Sequence, residues 1–314
     1  MLKKISIIVF LLSFSLLNAQ TDSLFIASWN VENLFDTLDT KDKNDEEFLP
    51  SGSKEWTSAR YNRKLANLAK VLSDMNNGKA PDVLGLIEVE NKSVVEDFAK
   101  TVSLRNYQVV HFESPDFRGI DNALMFDKEI FELISAYNFA VELDSNRTTR
   151  DILHVELKLK KDEEVFNFFV NHWPSRWGGQ SETNYKRVYV AEVLKDYIDS
   201  NIPQNEYTII MGDFNDYPSN ESVSKLISEN NFVNLMSSDM ASGIGSYNYK
   251  GNWGWLDQII VSKNFYQSNI KLLSVGAFQR DFMLYKNKNG EVYPSRSFGG
   301  SSWYGGFSDH LPIY

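Results

Sequence analysis

The residues able to do chemistry recur in one situation. Asn30, Glu88, His172, Asp213 with Asn215, Asp257, and Asp309 with His310 each lie at or just past the end of an apolar run. Strand ends are where the side chains of a sheet converge on a site. Asn, Glu and Asp oxygens suit a hard divalent ion such as Mg2+ or Mn2+, which takes one or two carboxylates and keeps its waters. Two imidazoles and an Asp-x-Asn remain for acid–base chemistry and for holding a phosphoryl group. Singly, each has an ordinary reading. Gly212-Asp213-Phe214-Asn215 has the composition of a turn, Ser308-Asp309-His310-Leu311-Pro312 could cap a loop, and Glu88 could be a solvated strand end. The ordered set in one chain is what points to phosphoester chemistry. His111 and His154 sit inside strand patterns and read as structural.

Other chemistries are excluded by what is missing. There is no Cys, so thiol catalysis and Cys-based zinc sites are ruled out. No Gly-x-Ser-x-Gly elbow, Walker loop or His-Glu-x-x-His occurs.

The elements that must position these residues can be read from hydrophobic period. Strands are expected at 24–31, 83–87, 107–112, 122–126, 131–141, 152–159, 165–171, 207–211, 256–262 and 271–275. Helices are expected over 56–75, 94–104, 182–201 and 222–229, and Gly299 to Phe307 reads as a loop. Strands and helices alternate unevenly, with several strand–strand hairpins. That pattern predicts mixed sheets covered by helices rather than a strict βαβ barrel. No internal repeat or long linker divides the chain, so one domain over 21–314 is the simplest organisation.

The N-terminus predicts a signal peptide over residues 1–20. Lys3 and Lys4 precede an apolar run from Ile5 to Leu17, and Asn18-Ala19-Gln20 offers a small residue for cleavage near 19–21. Secretion to the periplasm or exterior follows from that reading. The run is too short and too early for a comfortable membrane span, and no later stretch is apolar enough. A chain of 314 residues with 42% hydrophobic residues buries a core without disulfides. Net charge is −10, or −12 once Lys3 and Lys4 leave with the signal. No basic stripe is present for tight, non-specific nucleic-acid binding. Either a cation supplies the positive charge at the site or the substrate is small.

The ordered motifs resemble the endonuclease/exonuclease/phosphatase superfamily. They run from Ser28-Trp29-Asn30-Val31-Glu32-Asn33-Leu34-Phe35 through Leu86-Ile87-Glu88-Val89-Glu90-Asn91, Arg118-Gly119-Ile120-Asp121, Asn171-His172-Trp173-Pro174-Ser175 and Gly212-Asp213-Phe214-Asn215. They end with Trp255-Leu256-Asp257-Gln258-Ile259 and Ser308-Asp309-His310-Leu311-Pro312. The resemblance implies a four-layer α/β sandwich, with two mixed β-sheets face to face and helices outside. It implies that Glu88 is the principal metal carboxylate, with Asn30 and Asp309 beside it. Mg2+ is the implied ion, with Mn2+ next and Ca2+ a further option. Asp213 would orient or deprotonate the attacking water, Asn215 would donate to a phosphate oxygen, and Asp257 would hold His310. His172 would face the phosphate from the other side with Asp121 as its orienting carboxylate, and Arg150 would bind phosphate. Asp121 and Arg150 have a plainer reading as a strand-edge salt bridge.

Within the superfamily, Trp255-Leu256-Asp257-Gln258 lacks the Cys and Arg of the inositide phosphatases, and His172 stands where exonuclease III-type enzymes carry Tyr. The resemblance is therefore to a secreted bacterial nuclease-like branch, with nucleic acid as substrate. A phospholipid phosphodiesterase or small-molecule phosphatase is the alternative. No stable protein partner is implied, and a monomer is expected. Trp173, Trp177, Trp253, Trp255, Trp303 and Tyr304 could stack on bases or fill the core. The chain stops four residues after His310, leaving little strand to hold Asp309 and His310.

Overall fold

The computed structural model describes residues 23–314 except 145–146, 229–230 and 238–240, so the signal-peptide reading lies outside the described residues. Strand β1 (Ile26–Leu34) is followed by helix α1 (Ser58–Asp74), β2 (Val83–Val89), α2 (Lys92–Val102), β3 (Tyr107–His111) and β4 (Asp121–Asp127). Then come β5 (Phe131–Phe139), the short pair β6 (Glu142–Asp144) and β7 (Arg147–Thr148), β8 (Ile152–Leu159) and β9 (Val165–His172). Helix α3 (Gln180–Asn201), β10 (Tyr207–Asp213), α4 (Glu221–Leu226), β11 (Phe232–Asn234) and the hairpin β12 (Tyr247–Tyr249)–β13 (Asn252–Gly254) lead to β14 (Asp257–Ser262). After the short α5 (Lys263–Tyr266) come a 3-10 turn (Asp281–Met283) and small hairpins.

Two mixed sheets result. One has the order β1-β2-β4-β3, the other β11-β14-β10-β9-β8-β5, with β1/β2 and β9/β10 the parallel pairs. Period-2 alternation explains the layering. In β2, Val83 and Ile87 enter the cluster between the sheets, while Leu84 and Leu86 enter the cluster under α1 and α2. In β10, Ile209 and Met211 face between the sheets, and Ile210 packs with Leu194 and Val223 of α3 and α4. The architecture is therefore helix, sheet, sheet, helix, the four-layer α/β sandwich expected. Gly85 lets the sheets approach closely, because a Cβ there would lie 3.0 Å from the Met211 side chain.

The helices are set by their caps and faces. Thr57 caps α1 and Asn91 caps α2, each side chain accepting from a backbone N–H three residues on. Leu65, Leu68 and Leu72 form the buried stripe of α1. Helix α4 ends at Leu226, short of the expected 229.

The expected strand at 271–275 does not form. Its Lys271, Leu272 and Leu273 are exposed, and pairing starts only with the bridges of Gly276 and Ala277. Val275 O accepts from Ser242 N at 2.9 Å, so the segment meets a neighbouring stretch at its last residue rather than along its length. The tail after His310 is held, however. Ile313 exchanges two 2.9 Å backbone bonds with Ser28 of β1, Tyr314 exchanges two of 3.0 Å with Gly276, and Phe278 N donates to Pro312 O at 2.7 Å. Ile313 and Leu311 are buried in the two clusters on either side of this sheet. Among the described residues, no helix is long and apolar enough to cross a membrane.

Candidate active site

Register alone brings three site residues abreast. Asp213 ends β10, and its partners are His172, which ends the parallel β9, and Asp257, which begins the antiparallel β14. Residues paired across adjacent strands project to one face. All three keep the parity of Met211, Val170 and Ile259, so they face the gap between the sheets. Gly212 makes the approach feasible. Its φ is +134°, and a Cβ would lie 2.0 Å from the Asn171 carbonyl oxygen.

The facing sheet supplies Asn30 and Glu88. Both lie within strands rather than after them. Asn30 shares the parity of Ile26 and points into the gap. Glu88 would point to the helices by parity. A bulge corrects this: Glu88 has φ +66°, and the register of β2 jumps from Ile87 to Val89 on both neighbours. The extra residue turns Glu88 toward the gap and returns Val89 to the helix side. A non-glycine residue in the left-handed region costs about 1–2 kcal/mol. Burial of Ile87 and Val89 on either side, roughly 1.5–3 kcal/mol each, outweighs that cost.

The side chains interlock. The Asn30 amide Nδ2 donates to Glu88 Oε1 at 3.2 Å and to Asp213 Oδ2 at 3.1 Å. Asn33 N donates to Glu88 Oε2 at 3.0 Å. His172 Nε2 lies 3.9 Å from both Glu88 Oε1 and Asp213 Oδ2. His310 Nε2 lies 3.8 Å from Asp213 Oδ2, and its Nδ1 is 2.7 Å from Asp257 Oδ2. Ser308 Oγ donates to Asn30 O at 2.6 Å and accepts from His310 N at 3.1 Å. Trp29 Nε1 donates to His310 O at 3.0 Å, and the Tyr247 ring packs against the His310 ring at 4.7 Å, tilted by 38°.

The two imidazoles are set oppositely. Burial holds the His172 pKa well below the ordinary histidine value, and the positive charges of Arg150, Arg118 and His310 add to that. Its Nδ1 is buried without a hydrogen-bond partner among the described residues. Burial also opposes the charged form of His310, but Asp257 and Asp213 overcome it and hold the pKa well above the ordinary value. The carboxyl of Asp213 is pushed up to about 7, chiefly by burial, with His310 opposing and Asp257 and Glu88 assisting.

A match to the family model described as "Endonuclease/Exonuclease/phosphatase family" spans residues 25–314, nearly all of the described chain. The chain belongs to the endonuclease/exonuclease/phosphatase family. Members are hydrolases of phosphoester bonds, and so is this protein. Solved structures share its fold at low identity. A family protein from Bacteroides thetaiotaomicron is 16% identical, with a TM-score of 0.62 over 92% of this chain and 95% of that one. A mannosyl-6-phosphatase from the same organism is 16% identical, with a TM-score of 0.61 over 93% and 98%. TDP2 from D. rerio, complexed with a single-strand DNA product, is 17% identical, with a TM-score of 0.54 over 92% and 96%. Among curated proteins, none matches the sequence.

Endonuclease/exonuclease/phosphatase enzymes are typically divalent-metal dependent, and the donor set fits such an ion. Asp213 and Asp257 are closed off, with side chains 3% and 1% exposed, whereas Glu88 and Asp309 remain 16% and 23% exposed. Ligand atoms of Asp213, Asp257 and His310 lie within 4.8 Å of one another, while Glu88 and Asp309 are the carboxylates open to an ion arriving from solvent. Asn30 Oδ1 accepts from Glu32 N at 3.0 Å and its Nδ2 donates to both carboxylates, so it positions Glu88 and Asp213.

Two expectations change. Asp121 does not reach His172; it lies 3.2 Å from His111 Nε2 and accepts from Ser114 N at 2.9 Å. Nor do Asp121 and Arg150 form a salt bridge with each other. Arg150 Nη1 lies 3.6 Å from Asp116, and its Nη2 donates to Trp173 O at 2.8 Å, next to His172. Burial lowers its pKa to about 10, which leaves it a cation at neutral pH. Asn215, with φ +50°, donates from Nδ2 to the same Trp173 carbonyl at 3.1 Å. His154 is structural as expected, bonded to Asn167 at 2.9 Å and stacked on Phe169.

Sequence reasoning missed the group behind Asp309. Glu32 is buried in a left-handed conformation, 3.2 Å from Arg296 Nε and 3.9 Å from Lys64 Nζ, and it accepts from Ser297 N. Arg296 Nη2 in turn lies 3.2 Å from Asp309 Oδ2. A signal existed for Lys64, a charged residue on the apolar stripe of α1. None existed for Arg296. Among the aromatics, Trp173 is core, whereas Trp177 is 89% exposed.

Proposed function

We propose that this hydrolase is a secreted, divalent-metal-dependent phosphodiesterase acting on nucleic acid by in-line attack of water. The observation that carries the chemistry is the row His172, Asp213, Asp257 in register on three adjacent strands, closed by His310 on Asp257. A divalent ion held by Glu88 and Asp309 would polarise the phosphoryl oxygen and offset its charge.

The remaining roles fall to the chain's own groups. Asp213, with a pKa near 7, accepts the proton of the attacking water. His310, kept charged by Asp257, stabilises the negative charge that builds on the phosphoryl group. His172 is neutral and donates a hydrogen bond to a phosphate oxygen from the other side. Arg150 supplies fixed positive charge beside it, and Asn30 holds Glu88 and Asp213 in place.

A nucleic-acid substrate is supported by Trp177. It stands exposed on the loop that follows His172, and Arg176 anchors that loop through Asn215 O, Asp216 and Asn220. An exposed ring on an anchored loop is a stacking platform for a base. The net charge of −10 and the lack of a basic stripe favour a second reading, a phosphatase or phosphodiesterase for a small molecule or phospholipid. To separate these, purified chain beginning near residue 21 is incubated with Mg2+, Mn2+ or Ca2+. The substrates are plasmid DNA, RNA, sphingomyelin, sugar phosphates and bis-p-nitrophenyl phosphate. EDTA-resistant activity would refute the metal, and turnover of sugar phosphate or lipid without nucleic acid would refute the nuclease. Secretion is tested by expressing the full chain in a bacterial host; a cytoplasmic product of uncut length would refute it.

A further inference from the structure

A second cluster of ligand-type side chains lies outside the row described above. His111 ends β3, Asp121 begins β4, and Glu113 sits in the loop between them. One ligand atom from each lies within 4.8 Å of the other two, and His111 Nε2 to Asp121 Oδ2 is 3.2 Å. Ligands on one metal at about 2.0–2.2 Å stand roughly 3–4 Å apart, so His111 and Asp121 already have that spacing and Glu113 needs a small side-chain movement to join them. The His111 and Asp121 side chains are buried, at 3% and 0% exposure, while Glu113 is exposed and leaves an entrance from solvent.

Asp151 gives an independent indication. It is 8% exposed, and its Oδ1 is buried without a hydrogen-bond partner among the described residues. Its other oxygen accepts from Asn138 Nδ2 at 2.6 Å, and the same Nδ2 reaches the Glu113 carbonyl at 3.4 Å. The backbone carbonyl of Asp151 accepts from Asn122, the neighbour of Asp121, at 2.9 Å. Asp151 therefore borders the cluster, and Asp121 is the charged neighbour that acts on it most strongly. The nearby cation, Lys43, is engaged with the carbonyls of Ser114 and Asp116 at 2.7 and 3.0 Å. The buried carboxylates Asp121 and Asp151 and the exposed Glu113 thus share this corner with one imidazole and, among the described residues, with an ammonium already held by carbonyls. Buried negative charge calls for a counter-charge.

We propose that His111, Glu113 and Asp121, bordered by Asp151, form a second divalent-cation site distinct from the one at Glu88. One imidazole with carboxylates selects a first-row transition ion such as Zn2+ or Mn2+ over Ca2+. An ion there ties the ends of β3 and β4 together. It also braces the loop carrying Asp116 and Arg118, and through Asp116 it steadies Arg150.

The test uses Zn2+ and Mn2+ themselves. Chain stripped with EDTA and carrying Glu88→Gln, which disables the other site, is titrated calorimetrically, and its metal content is measured after dialysis. One bound equivalent is expected. Adding His111→Asn or, as the milder surface change, Glu113→Gln should weaken binding by more than the roughly 10–100-fold that follows loss of an outer-shell partner. Circular dichroism checks that each variant is folded. No uptake by the Glu88→Gln chain overturns the site, as does uptake unchanged by Glu113→Gln and His111→Asn. Neither result bears on hydrolysis at Glu88, because metal content is read without substrate.

Discussion

The end of β9 and the C-terminal segment each bring a buried imidazole to within 3.9 Å of Asp213, and the two are prepared for different work. His172 has no carboxylate bonded to its Nδ1, so burial decides and the ring is neutral. His310 has Asp257 at 2.7 Å, so the carboxylate decides and the ring is a cation. Equal burial thus yields opposite charge, because one partner at hydrogen-bond distance is enough to reverse the sign. An active site that must both donate to phosphate and neutralise developing charge obtains two tools from one residue type.

The comparison breaks most plainly at His310. His310→Ala should lower kcat by roughly two or more orders of magnitude, the usual scale for loss of acid–base or oxyanion help. Near-normal turnover by a folded variant would remove the cation from the mechanism. Glutamine sharpens the contrast, being a neutral donor. His172→Gln should lose only about tenfold, whereas His310→Gln should lose about as much as His310→Ala. Equal losses in steady-state assays would mean the rings are not distinguished by charge.

Smaller effects lie at the rim and in the pH profile. Trp177→Ala should raise KM for single-stranded nucleic acid about five- to tenfold, in line with the low end of base stacking. It should leave thermal stability nearly unchanged, since the ring is exposed. An unchanged KM on polymer would count against the platform. The rate should rise with pH through about 7 as Asp213 loses its proton, and fall at higher pH as His310 loses its own. Asp257→Asn removes the charge that raises His310, so the alkaline limb should move to lower pH. Ring chemical shifts measured by NMR across pH 5 to 8 should show His172 neutral and His310 charged throughout.

Much of the fold was legible because alternation and helical period are local. The strands of both sheets except β11, which at three residues is too short to show an alternation, and all four main helices were placed by period, and the other exceptions have causes. Residues 271–275 look like a strand in composition, yet form no ladder with the described residues, and Val275 O meets Ser242 N at the segment's end. The short tail looked weakly held, yet β1 and Gly276 bond it from two sides. Within the site, Asp257 beside His310 was readable as a resemblance. Asp121 was misdirected to His172, because proximity of motifs along the chain does not say which imidazole a carboxylate meets. Arg296, Glu32 and Lys64 stand 264 and 32 residues apart from one another along the chain. Nothing local joins them.

By itself the sequence determined the kinds of group available, the strands and helices that carry them, and the family to which the chain belongs. Those properties depend on residue type and on spacing of a few residues. Only the tertiary structure decided which groups meet and in which protonation state. The bulge that turns Glu88 into the gap, the register that sets His172, Asp213 and Asp257 abreast, and the burial that separates the two imidazoles are long-range facts. They depend on pairing between strands and on exclusion of water, which no segment of the chain possesses alone.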